Sequence, residues 1–273
     1  MDRRNFLTRA GAAGIILVVS PHLILAQPKL QSTPYENNNA SVDPKELAID
    51  RIADSTYIFS SELELLLSNG EVTKLTSNPV GLVIKGKDDV GKEALLLLTA
   101  DHNVSDYRRI SDTPDGQRQL EVRDRQGNYT LETEDKKTVK LRRLASDFEY
   151  DIALLRLPDG AKVKVFPYKL GDSNNLVTGS FLYIIGNPGG IGKSGLEGKV
   201  SSKIEPNDVK FRFNTTTPPG TSGGPILAVR KDPDRKGQYE LVGVTVRGYT
   251  DLPFGYGVLI NRIIEKFGKY LAR

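Results

Sequence analysis

The chain has 273 residues, with 38 Lys and Arg against 34 Asp and Glu, two His and no Cys. Without cysteine there is no disulfide, no thiol nucleophile and no thiolate metal site, and two imidazoles are too few for a histidine-cluster metal centre. A net charge of +4 is too small to mark a nucleic-acid-binding surface, so the composition is that of a globular protein with one large core or two moderate ones, and it implies neither metal nor cofactor.

Residues 1–26 have the layout of a bacterial export signal. Asp2-Arg3-Arg4-Asn5-Phe6-Leu7-Thr8 precedes an apolar run from Ala10 to Val19, a basic segment followed by an apolar one. The paired arginines resemble the twin-arginine signal, with Asp2 where Ser or Thr is usual. An uncleaved membrane anchor is the alternative, because Leu23-Ile24-Leu25-Ala26 prolongs the apolar stretch to about the shortest that spans a bilayer. Pro21 and His22 interrupt it, which favours a cleaved signal, a periplasmic or extracellular protein, and no membrane contact except through that segment. Removing residues 1–26 leaves His102 as the one imidazole of the exported protein.

Residues 27–42 are polar and rich in Asn, Gln, Ser and Pro, the composition of a flexible tether. Order is expected across 43–273. Asp43-Pro44-Lys45-Glu46 supplies an N-cap, a first-turn proline and a reciprocating glutamate ahead of Leu47, Ile49 and Ile52, which predicts one short helix. Strand-like segments then recur between turn signals: Thr56–Phe59, Leu63–Leu67, Val80–Ile84, Ala94–Thr99, Gln119–Arg123, Thr138–Leu141 and Ile152–Leu157. After a linker near Pro158–Leu170 come Phe181–Ile185, Gly198–Ser202, Lys210–Asn214, Ile226–Val229, Leu241–Val246 and Gly257–Ile260. About six strands per half and no long helix before the end predict an all-β fold of two six-stranded antiparallel barrels, over about 50–157 and 170–262. Ile263, Ile264, Phe267 and Leu271 have helical spacing and predict a C-terminal helix over 261–271, docked on the second barrel.

Three motifs carry chemistry. Thr99-Ala100-Asp101-His102 ends an apolar strand, Asp151-Ile152-Ala153-Leu154-Leu155 opens another, and Gly220-Thr221-Ser222-Gly223-Gly224-Pro225 lies in the second half. A serine hydroxyl becomes a nucleophile when an imidazole takes its proton, and the imidazole needs a carboxylate to fix its tautomer and stabilise its cation. The chain order His102, Asp151, Ser222 is that of chymotrypsin-like enzymes, and differs from the orders of subtilisins and α/β-hydrolases. His102 and Asp151 fall in the first half and Ser222 in the second, so the site is expected in the cleft between barrels. The N–H groups of Gly220 and Ser222 would form the oxyanion hole. Asp101, Asp147 and Asp172 are rival carboxylates: Asp101 adjoins His102 too closely to reach its far nitrogen, and the other two lack the strand context of Asp151. Gly192-Lys193-Ser194 is not a phosphate-binding loop, since Asn187 stands where such a loop needs its first glycine.

From about Ser77 to Tyr270 these residues resemble the trypsin-like proteases, and more closely their bacterial HtrA-like members, whose Gly-Asn-Pro turn is matched by Ile185-Gly186-Asn187-Pro188-Gly189. The resemblance implies a chymotrypsin-like double barrel and an endopeptidase acting on protein or peptide substrates, with His102 as base then acid, Asp151 orienting it and Ser222 as nucleophile. It also implies a primary pocket with Thr216 at its floor and Val246, Arg247, Gly248 and Gly257 in its wall; a neutral floor argues against selection for Arg or Lys. Thr221 replaces the aspartate that switches many zymogens, so no such switch is expected. Asn103 stands where many animal relatives have cysteine. HtrA-like proteins usually carry a PDZ domain after the protease, and 223–273 is expected to be used up by the last strands and helix. No segment specifies an oligomeric state. The alternative to an exported enzyme of extracytoplasmic or unfolded proteins is a silent or latent protease-like protein that binds peptides without cleaving them.

Overall fold

The computed structural model describes residues 33–35, 49–66, 72–105, 127–202, 204, 207–230, 238–248 and 252–271. A short helix α1 (Ile49–Ser55) leads into β1 (Thr56–Leu66), β2 (Val72–Ser77), β3 (Val80–Lys87), β4 (Glu93–Thr99), β5 (Asn128–Glu132), β6 (Thr138–Asp147) and β7 (Ile152–Arg156). An irregular crossing follows, and then β8 (Phe181–Gly186), β9 (Ser194–Lys199), β10 (Lys210–Phe213), β11 (Pro225–Arg230), β12 (Gln238–Gly248), β13 (Gly255–Leu259) and α2 (Ile260–Phe267).

The first half closes on itself. Its strands run β2-β1-β3-β4-β7-β6-β5, and β1 also pairs with β5, which makes a six-stranded ring with β2 flanking the far end of β1. The second half runs β10-β13-β12-β11-β8-β9 and is completed where Val200 bridges Phe213 and Ser201 N–H donates to Arg212 O. All the paired strands are antiparallel. This is the two-barrel, chymotrypsin-like architecture, with a short C-terminal helix.

The apolar side chains form three cores. Phe59, Val83, Leu97, Tyr129, Ala153 and Leu155 fill the first barrel, and Leu182, Ile184, Phe211, Phe213, Ile226 and Val242 fill the second. A third layer lies between the barrels, from Leu82, Ile84, Leu96, Leu98, Ile152 and Leu154 on one side and Tyr183, Ile185, Leu227, Val229, Leu241 and Val244 on the other. Successive residues of a strand face opposite sides, so β4 and β7 send alternate residues into the first barrel and into this layer. Both faces are covered, hence the unbroken runs Leu95–Leu98 and Ile152–Leu155 instead of an alternating pattern. Each fully buried Leu, Ile, Val or Phe contributes about 1.5–3 kcal/mol, and this layer holds the two barrels in register.

Several expectations are revised. Thr56–Phe59 and Leu63–Leu66 belong to one long strand, β1, and Leu67 lies outside the described residues. β2 and β5 were not anticipated, β9 begins earlier at Ser194, and Gln119–Arg123 lies outside the described residues, as does the leader. The C-terminal helix spans Ile260–Phe267 instead of 261–271. Its buried face, Ile260, Ile263 and Phe267, joins the inter-barrel layer, and the chain beyond it docks on the first barrel, where Lys87 N–H donates to Tyr270 O and Gly86 bridges Leu271. Within the stretch read as a tether, Tyr35 is 1% exposed and sits in the second-barrel core. Its hydroxyl donates to Glu240 Oε2 at 2.9 Å and accepts from Asp172 N–H at 3.0 Å. The polar composition around it hid a single aromatic anchor.

Candidate active site

β4 ends at Thr99, and the chain turns at once into a 3-10 turn, Asp101–Asn103, closed by Val104 N–H and Ser105 N–H donating to Asp101 O. The apolar strand thus delivers His102 to its end. β7 pairs with β4 through Thr99 opposite Ala153, which places Asp151, just before β7, beside that turn. Asp151 has φ +59, a left-handed conformation that aspartate tolerates better than most residues. Its carboxylate meets His102 three times: Oδ1 accepts from the backbone N–H at 2.9 Å, and His102 Nδ1 lies 3.0 Å from Oδ1 and 2.9 Å from Oδ2. A carboxylate only accepts, so Nδ1 carries a ring proton, and in the neutral imidazole Nε2 is the nitrogen that keeps a lone pair.

The rival carboxylates are engaged elsewhere. Asp147 pairs with Lys266 at 2.5 Å and accepts from Tyr150 N–H. Asp172 caps the turn Ser173–Asn175 and accepts from Asn261 Nδ2. Asp101 is 3% exposed, with Arg143, Ser146 and Ser105 facing it, and its Oδ1 has no hydrogen-bond partner among the described residues. Burial, and then the Asp151 charge, push its carboxyl up to about 6 against the pull of those three neighbours.

Ser222 is half-buried in the turn before β11, and nearly every peptide plane around it is pinned. Asn187 N–H donates to Gly220 O, Gly189 N–H to Pro219 O, Thr221 N–H to Pro218 O, Gly224 N–H to Thr221 O and Gly223 N–H to Thr245 O. In a trans peptide the N–H points opposite its carbonyl. With Pro219 O and Thr221 O turned to those donors, the N–H groups of Gly220 and Ser222 face the other way. Gly220 has φ +93, and a Cβ there would lie 2.1 Å from Asn187 O, so only glycine fits.

Asn187 organises this turn. It is 1% exposed, its Oδ1 accepts from Gly192 N–H at 2.9 Å, and its Nδ2 donates to Asn78 O of the first barrel at 3.1 Å. Sequence reasoning noted its Gly-Asn-Pro context without seeing these contacts. It also missed the amide of Asn103, which donates to Ser222 O at 3.0 Å.

The pocket expectations divide. Thr216 is partly buried and Arg247 exposed, whereas Val246 is 3% exposed and belongs to the inter-barrel layer. Gly248 presses on Thr217, whose carbonyl oxygen a Cβ would approach to 1.9 Å. Gly257 faces Ile226 and Phe211 inside the barrel; the glycine opposite Gly248 is Gly255, two residues nearer the strand end, where a Cβ would meet Thr217 Oγ1 at 2.8 Å. Thr217, 3% exposed with its hydroxyl unpartnered among the described residues, was not anticipated. Only the register of β12 with β13, shifted between Thr245 and Arg247, separates Gly255 from Gly257.

Residues 81–232 match the family described as "Trypsin-like peptidase domain". The chain belongs to the trypsin-like peptidase family. Among curated proteins it is similar to "Probable periplasmic serine endoprotease DegP-like" of Pseudomonas putida strain F1, 34% identical over 150 residues, 50% of this chain and 29% of that protein. The protein of the same description from Pseudomonas putida strain W619 is 36% identical over 150 residues, again 50% of this chain and 29% of the relative. That from Pseudomonas savastanoi pv. phaseolicola strain 1448A is 36% identical over 98 residues, 34% of this chain and 20% of the relative. The chain thus spans less than a third of the length of these relatives. Their DegP-like description agrees with the HtrA-like resemblance of the motifs.

Proposed function

We propose that this protein is an exported serine endopeptidase that hydrolyses peptide bonds of extracytoplasmic or unfolded proteins through His102, Asp151 and Ser222. The observation that carries the reading is the three-point hold of Asp151 on His102, which leaves Nε2 free to accept a proton while the turn before β11 holds Ser222 in a fixed backbone frame. In the reaction His102 Nε2 takes the Ser222 hydroxyl proton as Oγ attacks the scissile carbonyl. Gly220 and Ser222 N–H receive the charge that develops on the carbonyl oxygen, and Asp151 stabilises the imidazolium. His102 then returns the proton to the leaving amine, and water attacks the acyl-enzyme by the reverse route.

The substrate class follows from the neutral side chains of Thr216 and Thr217 beside Gly248 and Gly255, which, with the exposed cation Arg247 next to Gly248, suit small or medium uncharged side chains better than Arg or Lys. The twin-arginine-like leader and the periplasmic description of the relatives support export. No helix of the described residues is long and apolar enough to cross a membrane.

The test is hydrolysis of a permanently unfolded protein by wild type, Ser222→Ala and His102→Ala. Cleavage by wild type that both variants lose is the expected result. Cleavage that persists in Ser222→Ala, or its absence in a folded wild type, overturns the proposal; binding without cleavage is the outcome of the peptide-binding alternative.

A further inference from the structure

Asn103 stands between the two halves of this site. It is 7% exposed, and its side-chain amide donates to two oxygens, Thr99 Oγ1 at 3.0 Å and Ser222 O at 3.0 Å. The Thr99 hydroxyl proton is committed to Val80 O at 2.7 Å, so Thr99 offers Asn103 a lone pair. Ser222 O likewise only accepts. An amide facing two acceptors must present its NH2 group, so the orientation of Asn103 is determined by its surroundings. The Asn103 carbonyl is held in turn by Ser61 Oγ of β1 at 2.6 Å.

The approach of the barrels at this point is close. Gly223 has φ +88, and a Cβ there would lie 2.1 Å from Val80 O, 2.2 Å from Thr99 Oγ1 and 2.9 Å from Asn103 Nδ2. The turn carrying Ser222 therefore rests directly on β3, β4 and the His102 turn. The peptide joining Ser222 to Gly223 is pinned from both barrels: its N–H donates to Thr245 O of the second at 2.7 Å, and its carbonyl accepts from Asn103 of the first.

We propose that Asn103 is a positioning residue, a strut that sets the backbone of Ser222 against the turn bearing His102. The inference rests on the reading of Ser222 as nucleophile and His102 as base. The apolar layer between the barrels attracts without direction, whereas a hydrogen bond sets distance and angle. Proton transfer from Ser222 to His102 depends on alignment of two side chains from different barrels, and Asn103 is the neighbour of one and the bonded partner of the other. The Asn187–Asn78 bond is a second tie between the barrels, on the Gly220 side of the turn, and does not reach Ser222 O.

The test uses the full chain with Asn103→Leu and Asn103→Asp, each close to asparagine in size; the first removes the donors and the second sets a carboxylate against two acceptors. Two measurements are made: kcat and KM on an unfolded protein or derived peptide, and amide hydrogen exchange by mass spectrometry. Both variants should lose roughly 10- to 100-fold in kcat through misalignment, with KM within about twofold of wild type. Exchange over 218–225 should rise at least about tenfold while β4 and β7 stay protected. Unchanged kcat and unchanged exchange in variants of an active wild type would overturn the strut and leave the protease reading standing. Faster exchange at 218–225 in variants of a wild type that cleaves nothing would keep the strut and overturn the protease reading. Equal loss of protection in β4, β7 and 218–225 would make Asn103 a general stabilising residue and overturn the positioning role.

Discussion

Replacing Asp101 by Asn removes the one buried carboxylate of the His102 turn that Asp151 repels, and the consequence for stability can be worked out with its sign. Burial, and then the Asp151 charge, raise the Asp101 carboxyl from 3.8 to about 6 in the folded protein, against Arg143, Ser146 and Ser105. A folded-state value above the unfolded one means that the native state favours the protonated acid. The associated stability is fully present below pH 3.8 and is lost as pH rises through about 6. A shift of about two units corresponds to about 3 kcal/mol lost from the wild type by neutral pH. Asparagine keeps the shape of the protonated acid without ionising. Asp101→Asn should therefore match wild type near pH 4 and exceed it by up to about 3 kcal/mol above pH 7. Urea unfolding of both proteins at intervals from pH 4 to 8 measures the gap directly. Curves that stay parallel across that range, or a variant that loses its advantage as pH rises, would refute the claim that Asp101 is held as a strained carboxylate.

Two further outcomes follow from particular contacts. Gly220→Ala would set a Cβ 2.1 Å from Asn187 O at a residue with φ +93, so its peptide must move; turning its N–H away should lower kcat about 10²–10³-fold in steady-state hydrolysis, and a smaller change would mean that this N–H does not face the reacting carbonyl. Tyr35→Phe deletes the hydroxyl between Glu240 and Asp172 N–H and should cost about 1.5–3 kcal/mol, the range for a bond to a charged group. An unchanged urea midpoint would show that the hydroxyl bonds of Tyr35 add nothing to the stability of the second barrel.

Short-range chemistry was legible in the chain and long-range geometry was not. The glycines around Ser222, the apolar run into His102 and the Asp-Ile-Ala-Leu-Leu opening of β7 are local signals, because each depends on neighbours within a few residues. The strands that face two cores, β3, β4, β7, β8, β11 and β12, stood out for the same reason: burial on both sides leaves a continuous apolar run. β2 and β5 carry polar residues on an exposed face and gave too weak a pattern. Tyr35 finds Glu240 and Asp172 more than a hundred residues away, Asn187 finds Asn78, and Asn103 finds Ser222, through contacts that no spacing rule encodes. That Gly255 and not Gly257 stands opposite Gly248 has the same origin, since a register shift between strands is decided by pairing and not by either strand alone.

The most direct measurement of the central claim is the rate of fluorophosphonate labelling of the full chain, followed by mapping of the modified residue. The account predicts a label on Ser222 that His102→Ala abolishes. Labelling at another serine, or labelling of Ser222 that is indifferent to His102, would contradict it.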